Sequence, residues 1–195
     1  MELILYKYRS LENFKKFIDI IFKNRLYAAK FKELNDPMEG QYLYQNGELN
    51  IDIRNQLSEE KSDLRICSLS RVNNNELMWS HYANGQRGIA IGVEINRIKY
   101  QVRQVQYNGL PYIQNHNHNL NNQTAIEILS NKLEVWNYEE EERVFICDRQ
   151  FINVKVKEII LGRAMSNYDN GIIRDIIEKI NPEIRIIRAE NIMPL

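Results

Sequence analysis

Residues 88–95, GIAIGVEI, constrain the fold more than any other segment of this chain. The run is short and apolar at odd and even positions alike, the pattern of a central strand covered on both faces. Around it lie further β-rich segments at residues 3–8, 25–29, 64–70, 102–107, 143–147, 154–161 and 183–188. Helical spacing predicts four helices. The first covers 11–24, with Ser10 as its cap and Leu11, Phe14, Ile18 and Ile21 as its stripe. The others cover 76–83, capped by Asn74 or Asn75 and ended by Asn84-Gly85, then 124–136 and 169–180. Asn35-Asp36-Pro37 reads as a turn, because Pro37 biases Asp36 away from the helix. Several strands follow one another directly, as 88–95 and 102–107 do, which favours antiparallel pairing. The expected fold class is α+β: a single domain over residues 1–195 with a mixed, mostly antiparallel, curved or split sheet flanked by about four helices.

The balance of 26 basic and 26 acidic residues argues against a general nucleic-acid grip, which needs excess cations to displace counterions. A local basic cleft is compatible with it. No apolar run approaches the roughly 18 residues of a membrane span. Met1-Glu2-Leu3 opens straight into a strand-like pattern without a cleavable signal. Cys67 and Cys147 sit in apolar runs with no CxxC spacing and read as buried thiols of a reducing cytoplasm. The stretch 108–123, with Asn115-His116-Asn117-His118-Asn119, is polar enough to predict a mobile surface loop. No repeat of 20–50 residues recurs along the chain.

Four places concentrate side chains that can carry chemistry. In Tyr6-Lys7-Tyr8-Arg9-Ser10, strand alternation puts Lys7 and Arg9 on one face and Tyr6 and Tyr8 on the other. Two cations there suit a pyrophosphate or carboxylate, and a solvated strand face is the alternative. In Leu34-Asn35-Asp36-Pro37-Met38-Glu39, an Asx turn explains Asn35 and Asp36, while Asp36 and Glu39 are also able to position a ligand hydroxyl or a cation. On the helix through Met78, Trp79, His81 and Tyr82, large amphipathic residues beside a histidine suit an aromatic pocket for a flat ring. A half-buried, satisfied His81 is the other reading. Finally, four acids, Glu139 to Glu142, run into Arg143-Val144-Phe145-Ile146. In an extended chain Glu139, Glu141 and Arg143 share a face at about 7 Å spacing, so one carboxylate pairs with Arg143 and another stays free to act, presented at a helix-to-strand corner. A solvated charge run is the alternative.

Other chemistries lack their signatures. GxGxxG, the Walker loop, GxSxG and HExxH are all missing from the sequence. His116 and His118 have no cysteine spaced to complete a zinc site, so no metal is expected. The apolar flanks of Cys67 mark an inert thiol.

At these same places the chain resembles a bacterial family of unassigned activity, domain of unknown function family 2971. The resemblance rests on YKYRS (6–10), RLYAAKFKELNDPME (25–39), ICSLSRVNNNELMWSHYANGQRGIAIGVE (66–94) and WNYEEEERVF (136–145). The opening layout is also similar to ADP-ribosyltransferase-like folds, especially the DNA-modifying type. That resemblance implies a nucleotide ligand and NAD as substrate, with a basic residue of the first strand on the adenosine-side ribose. It further implies an aromatic on the nicotinamide and a late Glu on the nicotinamide-side ribose. By position these roles fall to Lys7 or Arg9, with Tyr8 beside them, to Tyr82 or Trp79, with His81 beside them, and to Glu139 or Glu141. Asn35, Asp36 and Arg143 would position the substrate. Lys7 lies nearest the basic position, and Ser68 and Ser70 are the candidates for the family's Ser/Thr step. A carboxylate that stabilises a cationic sugar needs no metal. The expected function is ADP-ribosyl transfer or NAD cleavage. The alternative is a non-catalytic nucleotide or small-ligand binding module in a defence or toxin system.

Overall fold

The computed structural model describes residues 3–47, 49–114 and 122–192. Its elements run β1 (Leu5–Arg9), α1 (Phe14–Lys23), β2 (Arg25–Tyr27), β3 (Ala29–Lys30), α2 (Ile51–Asp63), β4 (Arg65–Ser70), α3 (Glu76–Tyr82), β5 (Ile89–Glu94) and β6 (Gln101–Gln104). There follow α4 (Asn122–Ile128), β7 (Glu141–Ile146), β8 (Phe151–Asn153), β9 (Lys155–Leu161), α5 (Asn167–Ile180) and β10 (Arg185–Arg188), with 3₁₀ turns at Phe31–Glu33, Glu134–Glu139 and Ala189–Asn191. The main sheet has the order β10-β9-β5-β1-β4-β7-β6, with β3 on β4, and β2 pairs separately with β8. Among the strands of the described residues only β10 and β9 pair in parallel. The fold is α+β with a mixed, mostly antiparallel sheet, as the sequence pattern predicts.

Strand β5 does lie in the middle. Its Ile89, Ile91 and Val93 join the core under α1 and α5, while Ala90 faces the second core under α3. Its neighbours are β1 and β9, however, and β6 sits at the sheet edge on β7. The expected pairing of 88–95 with 102–107 is therefore wrong: both flanks of so apolar a strand go to β1 and β9, and the more polar β6 takes an edge. The first helix is capped by Asn13, whose side chain accepts from the Lys16 amide, and Ser10 instead receives the Glu12 amide. Its buried residues are Phe17, Ile20 and Ile21, a stripe rotated from the expected one. The expected helix 124–136 stops at Ile128, because the chain turns through Ser130 and Asn131 before the 3₁₀ segment. Two elements carry no sequence expectation, α2 and β8. Helix α2 is mostly polar and buries only Leu57 and Lys61, so its stripe is faint.

Cys67 is buried, as expected, but Cys147 is exposed beyond the end of β7. The mobile-loop expectation for 108–123 falls in part, at 115–121, on residues outside those described, His116 and His118 included. Its described start is tied down by the Leu43–Tyr112 bridge. Among the described residues no helix is long and apolar enough to cross a membrane.

What positions the site is a split in the sheet. Strand β1 pairs with β5 along its whole length, and β4 pairs with β7 along its whole length. Between β1 and β4 the register has a single pair, Tyr6 with Ser70. Beyond it the strands part, and the far end of β4 is taken by Ala29 of β3. In place of a ladder bond, the Lys7 ammonium donates across the gap to the Ser68 carbonyl at 2.8 Å.

Candidate functional site

A cavity of about 420 Å³ opens in this split. Its walls come from β1, the turn at 34–36, β4, α3 and the corner into β7. One wall is cationic. Lys7 and Arg9 follow the alternation of Leu5, while Tyr6 and Tyr8 point to the opposite face, as the sequence predicts. The Lys7 ammonium is engaged with Ser68, whereas the Arg9 guanidinium has no hydrogen-bond or ion-pair partner among the described residues. Partial burial lowers the Arg9 pKa, yet a guanidinium stays charged in any working pH range. Tyr8 is structural: its hydroxyl donates to the Val72 carbonyl at 2.9 Å and its ring meets Trp79 edge-on at 5.2 Å.

The facing wall holds the acids. The corner expected before the strand is there: the 3₁₀ turn ends at Glu139, Glu140 takes a left-handed conformation at φ 42°, and Glu141 begins β7. Glu140 is thrown outward, and Glu139 and Glu141 both turn into the cavity wall. Arg143 is fully buried. Its Nε donates to Glu141 Oε1 at 2.8 Å, and its Nη atoms to Glu39 at 2.8 and 2.5 Å and to the Leu129 carbonyl at 2.5 Å. The pairing of one acid with Arg143 thus holds for Glu141. Glu139 is not free as expected, because Lys132 Nζ donates to its Oε2 at 2.6 Å and the Tyr82 hydroxyl to its Oε1 at 2.6 Å.

Lys132, missed in the sequence, ties the cluster together. Its Nζ is also 3.2 Å from Glu141 and 3.7 Å from Glu39, and lies 5.1 Å from the centre of the Trp136 ring. Three carboxylates therefore share two buried cations. Burial would raise the pKa of Glu141, but Arg143 and then Lys132 outweigh it and hold the carboxyl at about 2. Burial raises the pKa of Glu139 and Glu141 repels its charge, more than Lys132 and Tyr82 offset. Burial and the Glu139 charge raise the Tyr82 phenol. Proton linkage fixes the sign of the pH response. Below the ordinary Glu value near 4.5, stability falls as Glu141 is driven toward protonation at about 2. Above 4.5, stability declines as pH rises through the raised pKa of Glu139. Thermal melts at graded pH should place the contribution of this pair at its maximum close to pH 4.5, and Glu139→Gln should remove the decline on the neutral side.

The remaining expected residues divide. Arg9, Lys7, Tyr82, Glu139, Glu141 and Arg143 converge on the cavity. Asp36 lines it too, but its Oδ1 accepts the Met38 amide at 2.9 Å, so the Asx-turn reading accounts for it. Asn35 is exposed at the rim. Trp79 is not at the site: it is completely buried under α3, its Nε1 donating to the Asn73 carbonyl at 2.9 Å. His81 faces outward into a shallow second hollow with Trp136 and Tyr138, joined to the cavity at Asn35, Tyr82 and Trp136. Helical spacing explains the division, since Met78 and Tyr82 take the inner face and Leu77 and His81 the outer. Among the described residues no group of three His, Cys, Asp or Glu is placed to hold a metal ion.

No protein-family model, curated protein or solved structure matches the chain.

Proposed function

We propose that the protein binds NAD in the interstrand cavity and acts on its glycosidic bond, by ADP-ribosyl transfer or NAD cleavage. The observation that carries this reading is the juxtaposition of an unpartnered Arg9 on one wall with the Tyr82–Glu139 pair on the other. A guanidinium suits a diphosphate, and the volume lies in the range of small-molecule sites. A carboxylate opposite it suits the positive charge that grows on the ribose as the C1′–nitrogen bond breaks and its electron pair leaves with neutral nicotinamide. Water or an acceptor nucleophile then bonds C1′ and gives up its proton. Two unbonded cysteines suit a cytoplasmic setting.

Purified protein incubated with labelled NAD, with and without lysate, should release nicotinamide or transfer label. Arg9→Ala should weaken NAD-dependent thermal stabilisation, and Glu139→Gln should lower turnover about 10²–10³-fold. Absence of turnover by the wild type overturns the enzymatic reading. A second reading, a non-catalytic nucleotide or small-ligand module, is favoured by the ion pairing of both late acids. It predicts NAD-dependent stabilisation without turnover.

A further inference from the structure

We propose that Glu139, and not Glu141, is the carboxylate that receives the ligand, and that Lys132 is its positioning residue while Glu141 braces the wall. The identity of the ligand rests on the nucleotide reading above; the assignment of roles rests on geometry. Glu141 takes three donor contacts from two cations, with Arg143 gripping both of its oxygens and Lys132 sharing one. Arg143 is itself clamped by Glu39 and the Leu129 carbonyl and cannot follow, so Glu141 cannot turn toward a ligand without leaving the buried Nε of Arg143 unpaired. Glu139 takes one donor per oxygen, which leaves acceptor capacity on each.

The backbone of Glu139 is fixed from outside its own segment, since Ser70 Oγ donates to its carbonyl at 2.7 Å. Lys132 is fixed as firmly. Its amide donates to the Gln106 carbonyl at 2.9 Å and its carbonyl accepts from the Gly109 amide at 3.1 Å. Among the described residues, the charged and titratable groups that face Glu139 are Lys132 before the 3₁₀ turn, Tyr138 beside it, Tyr82 of α3, Tyr107 after β6, and Glu141 of β7. Burial would lower the pKa of Lys132, but Glu141 and Glu139 outweigh it and raise it, so the ammonium stays charged. A fixed cation on one oxygen and a phenol on the other aim the carboxylate and leave its outer edge toward the cavity.

The test is carboxyl-carbon NMR of protein labelled at glutamate, with the two signals assigned by Glu139→Gln and Glu141→Gln. Removal of the ammonium in Lys132→Met should move the titration midpoint of Glu139 upward, and Lys132→Arg should return it toward the wild-type value. Glu141 should stay low because Arg143 remains. Added ADP-ribose should shift the Glu139 signal and leave that of Glu141 in place. In turnover, Lys132→Met should lower kcat about 10²-fold with little change in KM, the loss expected of a misaimed group, and the pH profile should move with the Glu139 midpoint. Should Lys132→Met fail to fold, Tyr82→Phe provides the same upward shift from the other oxygen. An unmoved Glu139 midpoint overturns the positioning role, and an ADP-ribose effect on Glu141 alone overturns the choice of carboxylate. A wild type that neither binds ADP-ribose nor cleaves NAD ends the nucleotide reading and with it the assignment of Glu139 as the receiving carboxylate, while the Lys132 titration still decides the positioning role.

Discussion

Arg143→Met is expected to destabilise the protein by about 3–5 kcal/mol, because it leaves Glu39 and Glu141 buried with Lys132 as their remaining cation. For a chain of this length that is a fall in Tm of about 6–20 °C. The methionine fills much of the volume, so the loss reports charge more than a cavity. The deficit should narrow as pH is lowered from 7 to 5, since Glu141, once it has lost the guanidinium that holds its pKa down, takes up a proton more readily. Urea melts of both proteins at the two pH values measure this. A loss below about 1 kcal/mol at pH 7, or one independent of pH, would show that the buried network contributes little.

Gly162→Ala is expected to be comparably severe for a different reason. A Cβ at Gly162 would sit 2.1 Å from the Gln86 carbonyl oxygen and 2.9 Å from that of Gly88. Both obstacles are backbone, so no side-chain rotation relieves them. The same carbonyls accept from the Ala164 and Gly162 amides, which pins the end of β9 to the turn after α3. Gly88 is equally tight, its added Cβ meeting the Arg9 carbonyl at 2.2 Å. Overpacking typically costs about 1–3 kcal/mol, a clash with rigid backbone belongs at the upper end of that range, and the shift would reach Arg9 through Gly88. Urea melts should show a lowered midpoint, and NAD-dependent stabilisation should weaken in parallel. A Gly162→Ala protein as stable as wild type would contradict the close approach.

Much of the fold was legible in local pattern. The alternation of Tyr6 to Arg9 and the inner and outer faces of α3 follow from periods of 2 and 3.6, the central position of β5 from its continuous apolar run, and the corner before Val144 from an acid run abutting an apolar strand. Helix α2 was not legible, since its sequence is mostly polar and one of its two buried residues is Lys61, whose ammonium donates to the Gly40 carbonyl at 2.6 Å. Lys132 was hidden for a similar reason. On a continuous helix from 124 to 136 it would be one more solvated lysine, and it becomes a buried one because the chain leaves the helix after Ile128. Trp79 shows the converse error: an aromatic near the site on the helix proved to be core, because its indole points inward beneath Tyr8.

The sequence by itself determined most of the strands and most of the helices, the pairing of cations at the end of β1 and the density of acids ahead of β7. Short-range sterics and apolar periodicity govern those features, and each is written within a few residues. Tertiary structure alone decided that β1 and β4 share one pair and then part, which makes the cavity. It also decided that Glu139 and Glu141 draw different partners, and so differ in pKa although two residues apart. Proton affinity of a buried carboxylate depends on charges within a few ångströms in space, and here those charges come from Lys132 and Arg143, brought against the two acids only when the sheet closes.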